Sequence, residues 1–176
     1  MRSFIAIDLT PEIKTAIADI QNKLKNLFKA SWTNPTNLHI TMKFLGNINE
    51  KEKEEIVDMI SSINQKQFTA KIANLDAFPS RTKAKILFFQ VESSYLLEIY
   101  DFLQNNLKRT KLAIDDKPFK SHITIARIKK PLNIEKFIKE IKLESSFRAD
   151  EITLFESVLT PQGPIYKNIF AKYLPE

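Results

Sequence analysis

The chain has 176 residues, no cysteine, only two histidines and no apolar run approaching a membrane span. Without cysteine there can be no disulfide, no thiolate nucleophile and no cysteine-ligated zinc, and the composition fits a reducing compartment. Cytoplasm is the expected location. A spanning helix needs about 20 consecutive apolar residues, so no membrane segment is expected. The opening Met1-Arg2-Ser3-Phe4-Ile5-Ala6-Ile7-Asp8 is interrupted by its aspartate too early to be a signal peptide. The His-rich or mixed His/carboxylate spacing of a dedicated metal site is also missing, so neither metal nor other cofactor is expected.

What is present is ordinary globular composition, 43% hydrophobic and 27% charged, consistent with one domain over residues 1–176. The formal charge of +6 and pI near 9.4 favour an anionic partner. Lysine and arginine cluster locally: Arg81, Lys83 and Lys85; Lys108, Arg109 and Lys111; Lys117 and Lys120; Arg127, Lys129 and Lys130. One such cluster is usually a solvated loop. Taken together, they make nucleic acid a better expectation than an uncharged metabolite.

The two histidines occupy the same context, His39-Ile40-Thr41-Met42 and His122-Ile123-Thr124-Ile125. With 11 threonines in 176 residues, the chance that Thr stands two places after both is (11/176)², or 1 in 256, before the shared isoleucine is counted. On an extended strand residues i and i+2 share a face, so each motif presents an imidazole beside a hydroxyl, with apolar residues turned the other way. The motifs lie 83 residues apart, close to half the chain, which points to two related halves contributing one strand each to a shared site.

The pattern alternates strands and helices in a mixed α+β order. Residues 2–9 read as a strand, and Thr10-Pro11-Glu12 opens a helix to about residue 29 with Ile13, Ile17, Ile20, Leu24, Leu27 and Phe28 inward. A strand at 37–44 carries the first motif, and Asn49 with Glu52 forms a capping-box pattern for a helix to about residue 63. Extended segments at 67–78 and 84–91 precede a helix from a Ser94 cap to about 108. The second motif lies on a strand at 120–127, Asn133 caps a helix to about 142, and strands at 147–158 and 165–173 flank the turn Pro161-Gln162-Gly163-Pro164. Trp32 is expected to close the first helix onto the core. By strand parity Lys43 shares the face of His39 and Thr41 and borders a cleft.

Histidine titrates near neutral pH, so one ring can serve as base while the other serves as acid. Hydrolysis of a phosphodiester needs both: one proton leaves the attacking water and another reaches the departing oxygen. Hydroxyls or cations stabilise charge on the phosphoryl oxygens, a task for which Thr41 and Thr124 are placed.

The paired motifs, the opening Arg2-to-Leu9 stretch, Asn37-to-Gly46 and Phe119-to-Arg127 together resemble the two-histidine (2H) phosphoesterases. The resemblance is to the RNA 2′,3′-cyclic phosphodiesterase branch, also called the 2′-5′ RNA ligase family, and extends to Ser157 and Gly163–Tyr166. It implies a bilobal α+β fold with antiparallel sheets and pseudo-twofold symmetry, the motifs facing each other across a central cleft. It further implies hydrolysis of an RNA or nucleotide 2′,3′-cyclic phosphate to a 2′-phosphomonoester, with reversible 2′-5′ ligation as the chemical reverse.

Carried over residue by residue, the resemblance makes His39 the proton donor to the 3′-oxygen and His122 the base that activates water. It places Arg127 on the phosphate, although strict alternation from His122 puts Arg127 on the opposite face unless the strand twists or bulges. It offers Phe4 and Tyr166 as aromatics that contact a nucleobase, against the alternative that Phe4 is core. Ser121 stands where the family often has proline, which restores a backbone N–H before the second motif. Two other readings remain open: a phosphodiesterase for 2′-5′-linked oligonucleotides or other cyclic nucleotides, and a non-catalytic RNA-binding module. No obligate protein partner is implied, and a monomer is expected because both halves already supply their motifs.

Overall fold

The computed structural model describes residues 1–110, 112, 118–139 and 141–176, so Lys111 and Lys117 of the charge clusters lie outside the described residues. The element order is β1 (Arg2–Asp8), α1 (Pro11–Lys25), β2 (Ser31–Trp32), β3 (His39–Asn47), α2 (Glu50–Ser61), β4 (Phe68–Phe78), β5 (Ala84–Glu92), α3 (Ser94–Leu107), β6 (His122–Leu132), α4 (Glu135–Ile138), β7 (Ser145–Ala149), β8 (Glu151–Thr160) and β9 (Gly163–Tyr173).

Local chemistry accounts for most helix boundaries. Pro11 occupies the first turn of α1, where its missing N–H costs nothing, and the helix stops at an Asn26 cap rather than running to 29. Asn49 and Glu52 form the expected capping box, with reciprocal bonds of 2.9 and 2.8 Å. Ser93, not Ser94, is the cap residue of α3. Asn133 accepts from the Glu135 amide at 3.0 Å, but α4 spans only four residues, well short of the expected helix to 142.

The described strands form one sheet in the order β7-β4-β5-β6-β3-β1-β8-β9, with β2 added beside β6 and every pairing antiparallel. The sheet curls into a half-barrel. At its centre β3 meets β6 through a single bridge, Ile40 opposite Ile123. Outward from that bridge run β3, β1, β8 and β9 on one side and β6, β5, β4 and β7 on the other, which is the expected pseudo-twofold arrangement. Each half also lends a strand to the other: β4 follows α2 in sequence yet pairs with β5, and β8 follows β7 yet pairs with β1.

The strand expected at 147–158 is therefore two. The chain leaves β4 at Ala149, pairs with β9 from Glu151 and with β1 from Thr153, and so crosses to the far side of the sheet at Asp150. No glycine or proline marks the break, so the residue pattern reads straight through it.

The helices pack against the convex face, opposite the motif side chains. Ile13, Ile20, Gln21 and Leu24 of α1 are buried, and so are Leu96, Leu103, Gln104 and Leu107 of α3, each 83 positions later. Ile40 and Ile123 are fully buried beneath the bridge. Trp32 packs on Phe28 with centroids 5.5 Å apart, closing the end of α1 as expected. None of the described helices is long and apolar enough to cross a membrane.

Candidate active site

Because Ile40 faces Ile123, the antiparallel register sets His39 across from Thr124 and Thr41 across from His122. The four groups alternate around a quadrilateral of roughly 5 by 7 Å at the backbone, the cross-strand and i,i+2 spacings of a sheet. A phosphate fits such a frame. With only one bridge holding the two strands, they splay from this point and leave the concave face open above it.

Both imidazoles are aimed in the same way. His39 Nδ1 lies 2.7 Å from the Asn37 carbonyl, and His122 Nδ1 lies 2.6 Å from the Lys120 carbonyl. A carbonyl only accepts, so in each neutral ring Nδ1 carries the hydrogen and Nε2 is left basic. Thr41 Oγ1 then donates to His39 Nε2 at 2.8 Å. Phenylalanines set the ring planes: Phe4 lies 4.9 Å from His39 and stacks on Phe155 at 5.3 Å, while Phe88 and Phe78 lie 5.3 and 5.4 Å from His122 and stack on each other at 4.1 Å.

Burial against these rings holds both histidines below the usual value of about 6.5. The smaller influences differ between them. The Asp8 carboxylate, opposite His39 in the β1–β3 register, works to raise His39, whereas Gln90 occupies the matching place opposite His122. The Arg127 guanidinium lowers His122 further.

A bulge in each motif strand sets which way the residues beyond the threonine face. Ala6 pairs with Thr41 but Ile5 with Lys43, leaving Met42 as an extra residue; Phe88 pairs with Thr124 but Leu87 with Ala126, leaving Ile125 extra. A bulge reverses side-chain parity beyond it. Arg127 is thereby returned to the face of His122 and Thr124, where its charge acts on both His122 and Tyr166. Lys43 is sent the other way, which corrects the expectation that it borders the cleft. It is 5% exposed, hydrogen-bonds to the Gln104 side chain and lies 5.2 Å over the Tyr100 ring on the convex side.

Tyr166 stands edge-on to His39 at 5.4 Å, and burial raises its phenol while Arg127 and Arg2 pull the other way. Phe4 is only 3% exposed, enclosed by His39, Phe44, Phe155 and Tyr166, so its ring supports His39 and offers no open face to a base. The open aromatic is Phe44, 64% exposed on the cleft face at the position matching Arg127. Ser121 contributes through its hydroxyl, which donates to the Val91 carbonyl at 2.6 Å and ties the segment before the second motif to β5.

Phe44, Asp8, Gln21 and Gln104 are absent from the sequence-based site. Gln21 is 1% exposed and donates to the Thr33 and Ile125 carbonyls at 2.8 and 2.9 Å, so a helix of the first half secures the bulge in the second motif. Gln104, its counterpart on α3, meets Lys43 just beyond the first bulge. The offset that relates the motifs also relates Gln21 to Gln104 and Phe44 to Arg127, and extending it outward would have found them.

Comparison with known proteins agrees with this geometry. A family profile described as LigT like Phosphoesterase matches residues 7–88 and again 91–166, one stretch for each half. An RNA 2′,3′-cyclic phosphodiesterase of Thermotoga maritima is 32% identical over 97% of this chain and 94% of its own. One from Methanocaldococcus jannaschii is 32% identical over 96% and 98%. Among solved structures, TT0787 of Thermus thermophilus superposes with a TM-score of 0.87 at 25% identity, covering 99% of this chain and 98% of that one. With both halves matched and both motif strands paired at the centre, the chain belongs to the LigT-like phosphoesterases of the two-histidine superfamily.

Proposed function

We propose that this protein hydrolyses RNA or nucleotide 2′,3′-cyclic phosphates to 2′-phosphomonoesters, with His39 as proton donor and His122 as proton acceptor. The observation that carries the reading is the pair of imidazoles with identical Nδ1 anchoring, related by the Ile40–Ile123 bridge. The relatives named as RNA 2′,3′-cyclic phosphodiesterases supply the substrate class.

The cyclic phosphate sits between the motifs. His122 Nε2 takes a proton from water as its oxygen bonds to phosphorus, and the P–O3′ bond breaks as His39 delivers a proton to O3′. The local charges support this division of labour, since Asp8 favours protonated His39 and Arg127 favours neutral His122. A bound phosphate monoanion raises both rings and restores the proton that burial withholds from His39. Thr41, Thr124 and Arg127 donate to the non-bridging oxygens, with Arg127 able to span two of them. The base lies toward Tyr166, which stands edge-on to His39, and Phe44, which packs on Phe4 and is open on the cleft face. Both motifs come from one chain, so a monomer supplies a complete site.

Separate His39→Ala and His122→Ala substitutions test the pairing. Each lowers turnover by about 10²–10⁴-fold, and the double variant falls far short of their product. Normal turnover by either single variant contradicts the mechanism.

A further inference from the structure

Asn37 serves the site through both its backbone and its side chain. Its carbonyl accepts from His39 Nδ1 at 2.7 Å, and its side-chain amide donates to the Pro164 carbonyl at 2.7 Å across 127 residues of sequence. The residue is itself fixed by the turn Pro35–Asn37, in which its N–H donates to the Asn34 carbonyl at 2.8 Å and Asn34 Oδ1 accepts from the Thr36 amide at 3.0 Å.

Pro164 lies where the β8–β9 hairpin outruns the rest of the sheet. β1 pairs with β8 only from Thr153 to Glu156, so residues 157–160 and 163–166 continue as a two-stranded ribbon beyond the last β1 partner. A ribbon of two strands is marginally stable in water. Its turn is set internally, by Gly163 at a φ of +120° and by the Thr160 hydroxyl donating to the Gly163 carbonyl at 2.6 Å, but neither fixes where the ribbon lies. Tyr166, two residues from Pro164, stands edge-on to Phe4 at 4.8 Å and to His39 at 5.4 Å. The second half is built differently. β7 pairs only with residues 68–72 of β4, and Lys120, 83 positions after Asn37, keeps the carbonyl anchor for His122 while its side chain lies 5.5 Å over the Phe78 ring. Among the described residues the amide clamp is found beside His39 only.

We propose that Asn37 is a positioning residue for the nucleobase: its side chain clamps the β8–β9 hairpin to the segment that anchors His39 and so holds Tyr166 in place as a wall for the base. The inference rests on the proposed hydrolysis and deepens it by naming what sets the base contact. From His39 Nδ1 to the hairpin the hydrogen-bonded path runs through Asn37 alone, so the imidazole beside the phosphate and the aromatic beside the base keep one mutual placement. Without the amide the carbonyl still holds His39, but the ribbon that carries Tyr166 is released. The loss therefore falls on substrates that carry a base.

The test compares a nucleoside 2′,3′-cyclic phosphate with methyl riboside 2,3-cyclic phosphate, which keeps the sugar and lacks the base. The readout is the ratio of kcat/KM for the two substrates, from which any disturbance of His39 itself cancels. Dissociation constants of the two 2-phosphate products give the same ratio where turnover of the riboside is too slow to follow. Asn37→Ala deletes the amide, and Asn37→Asp keeps its size without a donor; in both the ratio is expected to fall about three- to tenfold, the loss of one hydrogen bond. Tyr166→Leu removes the wall and lowers the ratio by itself, and adding Asn37→Ala to it then changes the ratio by less than about twofold. The inference is overturned if neither Asn37 variant changes the ratio, if Asn37→Ala lowers it as much beside Leu as beside Tyr at position 166, or if the parent does not distinguish the two substrates. In each of these cases hydrolysis still stands. Hydrolysis of neither substrate by the parent would overturn the underlying reaction and this inference with it.

Discussion

The side-chain amide of Gln21 donates to the main-chain carbonyl of Ile125 at 2.9 Å across 104 residues of sequence. That bond secures the bulge that turns Arg127 into the cleft, so a helix on the convex face controls the placement of the proposed phosphate contact on the concave one. Gln21→Leu fills similar volume but leaves the Thr33 and Ile125 carbonyls without this donor. The expected cost is about 1–3 kcal/mol per buried acceptor, read as a lower denaturation midpoint. In the folded fraction KM rises more than kcat falls, because Arg127 is misplaced while the imidazole anchors are intact. An unchanged KM would show that the bulge holds without Gln21.

The unequal surroundings of the two histidines make the pH profile asymmetric in a testable way. Asp8 works to raise His39, so Asp8→Asn lowers the pKa of the proposed proton donor and moves the alkaline limb of kcat/KM to lower pH. Arg127 works to lower His122, so Arg127→Ala raises the pKa of the proposed proton acceptor and moves the acidic limb upward. If the two substitutions shifted the opposite limbs instead, the acid and base roles would be exchanged.

The same burial links the site to stability. Both histidines have folded pKa values below their unfolded ones, so the unfolded chain binds protons first as pH falls. Stability due to their neutral burial is complete above about pH 6.5 and is lost as pH drops through the depressed folded values. Urea midpoints measured from pH 7.5 to 5 should fall less steeply for His39→Gln than for the parent. An equal slope would mean that His39 is no more desolvated folded than unfolded.

Phe44 is the exposed aromatic of the cleft, and Phe44→Ala should separate binding from folding. At 64% exposure the ring contributes little to the core, so the denaturation midpoint stays close to that of the parent. Loss of a stacked base is worth about 1–3 kcal/mol, or roughly a five- to hundredfold rise in KM for nucleotide substrates. Equal KM values would move the base elsewhere.

Much of this architecture is visible in the residues because the duplication is written in side chains. His39 and His122, Thr41 and Thr124, and the buried faces of α1 and α3 follow one offset, and the helix period of Ile13, Ile17, Ile20 and Leu24 is unambiguous. Lys43 reads as a cleft residue only while parity is unbroken, and the bulge at Met42 shifts it by one residue without a glycine or proline to signal the change. Phe44 is hidden from the pattern for the same reason, and the objection to Arg127 dissolves at the matching bulge in β6. The division of 147–158 into β7 and β8 depends on which neighbours each segment finds, Thr69 opposite Arg148 and Ile5 opposite Leu154, and no local pattern contains that choice. Gln21 looks like a polar residue on an amphipathic helix until Ile125 supplies a carbonyl for it.

The identity of the product bears most heavily on the proposed reaction. The purified protein is incubated, with chelator present, with an oligoribonucleotide ending in a 2′,3′-cyclic phosphate, and the terminal phosphate is assigned by its position. A 2′-phosphate, formed by the parent and absent with His39→Ala or His122→Ala, is the expected outcome. A 3′-phosphate, or an unreacted cyclic end, would refute the mechanism.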